Sequence, residues 1–141
     1  MAELVLIRTA VDAKLMQRSG LDEVSLYRAR RAFIQWWTKR SYKEKKVLTE
    51  GAVSLRFRRV AELLEQVWPR EVWLRWLQYL EHTQEDIDEM CRGEYPISPY
   101  IVRLFSALLG IKTDYLVFGA WPMSHHAGTD IDILPAIGGE A

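Results

Sequence analysis

The chain has one cysteine, five prolines and three histidines among its 141 residues, and each shortage removes a class of protein. A lone Cys91 excludes an internal disulfide and a cysteine-built zinc site. No apolar run is long enough for a membrane span. The N-terminus, MAELVLIRTAVDAK, has only Leu4 to Ile7 as an apolar stretch, behind an acidic residue, which is not the pattern of a secretory signal. A glycine-rich phosphate loop, a nucleophile elbow and an ordered Ser/His/Asp set are all missing. His125-His126 with Asp130 and Asp132 is the one cluster resembling metal ligands. Adjacent histidines diverge on any regular element, however, and glycine-flanked chain makes a poor cage. Cys91 falls at a helix end near acids, which raises a thiol pKa and leaves it unreactive. The expectation is a cytoplasmic, non-catalytic protein with no cofactor and no metal.

What is present is charge, unevenly distributed. The formal net charge is zero. Residues 26–59 nevertheless hold eleven basic side chains against Glu44 and Glu50, a net of +9, and residues 60–141 carry −8. Such asymmetry fits a polyanion-binding face, and equally fits two halves that attract each other.

Apolar residues recur at helical spacing along most of the chain. Glu3 to Arg18 reads as a helix stopped at Ser19-Gly20. Asp22 to about Tyr42 reads as a second, with Leu26, Phe33, Trp36 and Trp37 among arginines. Lys43 to Lys46 reads as a basic joint, and Gly51 as the boundary that follows it. Ser54 is expected to cap a helix over Leu55 to Trp68. Pro69 is expected to open the next, which runs to about Glu81. Thr83 caps Gln84 to Arg92, with Gly93 as its stop. Ser98 caps Pro99 to Leu109, closed by Gly110, and Thr113 to Val117 ends at Gly119. The order implies an all-α chain in three parts: a basic two-helix extension at 1–50, a five-helix bundle at 54–119 and a flexible C-terminal tail at 120–141. Trp68, Trp73, Trp76 and Tyr79 surround one helix. Burying all of them requires packing against the extension or a second subunit.

Thr83-Gln84-Glu85-Asp86-Ile87-Asp88-Glu89-Met90-Cys91-Arg92-Gly93 resembles the recognition helix of the phage-repressor (lambda/Cro, Xre-type) helix-turn-helix domains. Pro96-Ile97-Ser98, Leu109-Gly110-Ile111 and Asp114-Tyr115-Leu116 are similar to the segments that close that domain, over about residues 54–119. The resemblance implies a DNA-binding transcriptional regulator, acting as a homodimer or larger assembly on double-stranded DNA, with RNA as another possible polymer. It implies that Gln84, Glu85, Asp88 and Glu89 face bases. Arg92, Arg56, Arg58, Arg59, Lys43, Lys45 and Lys46 are then expected to hold phosphates. Three departures accompany it. Leu77 stands where the family has a small residue, and Glu81 where it has a glycine. The third helix itself carries a net −3, which opposes a phosphate-lined groove. The rival expectation is a protein-interaction adaptor or assembly subunit on the same fold, touching RNA through its basic segment. Trp36 and Trp37 among cations are compatible with single-strand binding, although such pairs more often fill a core.

Overall fold

Eight helices order residues 10–122, the part of the chain described by the computed structural model. They are α1 (Ala10–Ser19), α2 (Glu23–Thr38), α3 (Tyr42–Glu50), α4 (Val53–Val67), α5 (Arg70–Leu80), α6 (Gln84–Cys91), α7 (Pro99–Leu109) and α8 (Thr113–Phe118). The described chain is all-helical, as the periodicity implied. None of these helices is long and apolar enough to cross a membrane.

Local chemistry sets most of the boundaries. Asp22 caps α2 by accepting from the Ser25 amide at 2.8 Å, and that bond holds its carboxyl below the usual range. Thr83 and Asp86 form a reciprocal capping box at the start of α6. Ser98 caps α7, and Gly110 ends it in the left-handed conformation.

Three expected boundaries are corrected. The second helix stops at Thr38, and residues 43–46 form no joint. Ser41 and Glu44 make a second capping box there, so the lysines ride on a separate helix, α3, and among the described residues three helices precede residue 53. Ser54 is not a cap, because α4 already begins at Val53 behind Ala52, without a side-chain cap. Pro69 occupies the N-cap position itself, one residue before α5.

The turn between α5 and α6 keeps a left-handed residue without a glycine. Glu81 has φ 61 and ψ 40, the one positive-φ residue other than glycine among those described. An L-residue with a Cβ pays a steric penalty there. Glu81→Gly is therefore expected to stabilise the fold by about 0.5–1 kcal/mol after allowing for the freer unfolded chain. A rise in the urea midpoint at unchanged slope would show it; a fall would mean that the glutamate side chain contributes more than its backbone strain costs.

One buried cluster joins the basic extension to the five later helices. Leu26, Ala29, Phe33 and Trp37 of α2 share it with Phe57, Val60 and Leu64 of α4, with Phe105 and Leu108 of α7, and with Tyr115 of α8. Phe33 and Trp37 both meet the Tyr115 ring edge-on, at 5.9 and 5.5 Å. The aromatic surplus of α5 is absorbed within the chain. Trp73 and Trp76 are at most 1% exposed, and the Trp68 indole N–H donates to the Ser25 carbonyl of α2 at 2.9 Å. Each buried indole removes on the order of 150–250 Å² from water, so this packing is a main source of cohesion.

Two arginines bind the helices together from inside. Arg30, 1% exposed, grips Asp12 of α1 through both terminal nitrogens at 3.1 and 2.5 Å. It also donates to the Leu108 and Ala107 carbonyls of α7. Arg56, 3% exposed, donates to the carbonyls of Leu48, Thr49 and Gly51 at the end of α3 and of Leu116 and Val117 in α8. Gly119 fits against the same seam with φ +75. A Cβ there would overlap the Thr49 carbonyl oxygen.

Candidate nucleic-acid interface

The residues expected to face bases do lie together on α6, the helix most extensively packed on α4. Glu85 and Asp88 are exposed, and Gln84 and Glu89 are half-buried. Gln84 is held at both ends of its amide. Its Oε1 accepts from the Trp73 indole at 2.7 Å, and its Nε2 donates to Asp88 at 3.0 Å. Its hydrogen-bonding edge is therefore spent within the protein, and reading adenine would require breaking both bonds. Carboxylates crowd the seam between α4 and α6. Burial, and then repulsion from Asp88 and Glu62, push the Glu65 carboxyl above its ordinary range, against a hydrogen bond from Gln84 that pulls it down. Burial and the same acids, with Glu65 among them, push the Cys91 thiol up to about 11, so almost none of it is thiolate at neutral pH.

The arginines expected on phosphates divide. Arg56 is removed from the set: it is buried under five backbone carbonyls, at the negative ends of helices, and cannot reach a ligand. Arg58 and Arg59 stay on the surface of α4 but both approach Glu62, at 3.9 and 3.0 Å. Arg92 turns to Glu94 at 3.0 Å. Around α6 the cations are thus spoken for, and the outward charge is negative.

The lysines fall elsewhere. Lys43, Lys45 and Lys46 sit on α3, separated from α6 by α4. Between α3 and α4 runs an open groove of about 380 Å³, lined by Trp36, Arg40, Val47, Leu55, Arg59 and Leu63. Trp37 is core, at 1% exposed, while Trp36 lies at the groove wall under the Arg40 guanidinium.

Two aromatic side chains not expected in the site lie beside those lysines. Tyr42 is 72% exposed and Trp121 45% exposed, and their rings stack at 25° with centroids 6.4 Å apart. Trp121 and Pro122 fall in the stretch expected to be a flexible tail. Trp121 is instead braced edge-on against the buried Trp37 ring at 5.5 Å. The Lys45 ammonium sits 5.4 Å from the Trp37 ring and 5.5 Å from the Trp121 ring, attracted by both. The spacing of Tyr42, Lys45 and Lys46, three and four apart on one helix, was the available signal for this face.

No group of three or more acids, histidines or cysteines among the described residues is arranged to hold a metal. His125, His126, Asp130, Asp132 and the rest of the expected tail from residue 123 lie outside the described residues, as does the N-terminal segment 1–9. Comparison with protein families, with curated proteins and with solved structures found no match to this chain.

Proposed function

We propose that the protein is a non-catalytic interaction module, an adaptor or assembly subunit on a helix-turn-helix-type bundle, whose α6 face takes a basic partner. One observation carries this reading. The four arginines expected to grip phosphate near α6 are buried or paired with carboxylates, while Glu85 and Asp88 are exposed and Glu89 half-buried on α6. Such a face repels a phosphate backbone and attracts lysine- and arginine-rich segments.

The test is a titration of the whole protein with a fluorescein-labelled Lys/Arg-rich peptide across a salt series. Binding should weaken with salt. The triple variant Glu85→Gln, Asp88→Asn, Glu89→Gln should bind about tenfold more weakly, from roughly 0.5 kcal/mol per exposed ion pair. Asp86 is left intact because it caps α6. Equal binding by the variant would sink the reading.

A second reading, a homodimeric DNA-binding regulator of the phage-repressor-like class, is favoured by one feature. The succession of five short helices from Val53 to Phe118 keeps the stops and caps of that class, with a left-handed residue at 81. It requires sequence-dependent binding of duplex DNA that changes with Gln84→Ala.

A further inference from the structure

We propose that the Tyr42–Trp121 stack and the lysines of α3 form a binding site for single-stranded nucleic acid, separate from the α6 face. An exposed aromatic pair is open to stacking by a further ring, and here the pair is anchored to the core through Trp121. Trp121 meets the buried Trp37 ring edge-on and has the Lys45 ammonium over its own ring, so the outer face of Tyr42 is the surface most open to a base. Tyr42 sits in the first turn of α3, just after the Ser41–Glu44 capping box. The platform is thus formed before any ligand arrives, and binding need not order it.

The chemistry of the surroundings selects the ligand. A flat, exposed ring accepts any base by stacking, without reading its edge. Lys43 and Lys46 are exposed one helical turn or less from Tyr42, and Lys39 is exposed just before the cap. Among the described residues no carboxylate lies within ion-pair distance of Lys39 or Lys43, whereas Lys46 pairs with Glu50 at 3.9 Å on the surface. The ammonium groups of Lys39 and Lys43 are thus open to the phosphates of a strand whose bases stack on the exposed ring. A duplex is excluded as the favoured ligand because its bases are stacked inside and present no face to Tyr42. A basic peptide is excluded by the lysines.

The fold explains why the platform is in this place. Gly119 presses the chain against the end of α3, so residues 119–121 run back along that helix and deliver Trp121 beside Tyr42 and Lys45. The lysines alone would make an ordinary solvated helix. With the returning tryptophan they become an aromatic and basic surface.

The experiment uses the full chain and fluorescein-labelled oligo(U) and oligo(dT) of about 12 nucleotides, with a mixed-sequence duplex of similar length as comparator, read by anisotropy. At a salt concentration of about 50 mM the single strands should bind more tightly than the duplex. Tyr42→Ala and Tyr42→Leu should each weaken single-strand binding about tenfold, and Tyr42→Phe should not. Lys43→Ala should reduce the salt slope by roughly 0.7, the value for one phosphate contact on a single strand. None of these variants should alter binding of the basic peptide, so failure here is distinguishable from failure of the α6 reading. Absence of single-strand binding at low salt would overturn the proposal. So would duplex binding of equal strength, or single-strand binding that survives both Tyr42→Ala and Tyr42→Leu.

Discussion

Arg56→Met is expected to lower the unfolding free energy by about 3–5 kcal/mol, more than any change to the neighbouring surface arginines. The guanidinium satisfies carbonyls from α3, from the α3–α4 turn and from α8, five acceptors in all. Methionine fills similar space but donates nothing, so the helix ends must find water in a seam that Arg56 keeps 3% exposed. Burial lowers the Arg56 pKa, yet not enough to discharge an arginine, and the charge is met by helix carbonyl dipoles rather than by a carboxylate. Arg56→Lys should recover less than half of the loss, because an ammonium cannot spread its donors over two helix ends. Urea unfolding followed by circular dichroism measures all three proteins. A loss below about 1 kcal/mol for Arg56→Met would show that water replaces the guanidinium readily.

The Asp12–Arg30 pair should show the second large effect. Either Asp12→Leu or Arg30→Met alone removes one half of a buried, bidentate ion pair and is expected to cost about 3–5 kcal/mol. The double variant should cost clearly less than the sum, because removing both charges also removes the desolvation that each imposed. Recovery will be partial, since Arg30 also donates to Leu108 and Ala107 at the end of α7. A double-mutant cycle in urea gives the coupling directly. Strictly additive losses would mean that the ion pair, 1% and 3% exposed at its two side chains, stabilises little beyond its separate contacts.

The legible part of this fold was local. Thr83, Ser98, Gly20, Gly93, Gly110 and Gly119 mark helix ends through bonds and dihedrals that span at most a few residues, and the structure uses each of them in that way. α3 was legible too, through Ser41-Tyr42-Lys43-Glu44, but its apolar signal is poor because Leu48 is its one buried residue. Long-range placement was not legible. Arg56, Arg58 and Arg59 look equivalent in sequence, and only the convergence of α3 and α8 decides that the first is buried. Trp121 follows a helix-stopping glycine by two residues and reads as the start of a tail. That it returns to Trp37 depends on contacts 84 positions apart, which no periodicity records. The lysines of the candidate site could be named from charge alone, whereas the rings that give it chemistry could not.

Two glycines that look alike on paper face different futures under substitution. Gly93 and Gly119 both end helical segments with positive φ, +77 and +75. Beside Gly93 the nearest side-chain atom is the Ser54 hydroxyl, 3.4 Å from where a Cβ would stand, so asparagine, which tolerates that backbone, fits as the chain drifts. At Gly119 the obstacle is the Thr49 carbonyl itself, held in turn by the Arg56 guanidinium. No side chain can move aside there, and no choice of residue removes a Cβ. Diversification of this fold is therefore free to rewrite the turn that ends α6, but must carry position 119 unchanged for as long as Trp121 is to return to α3.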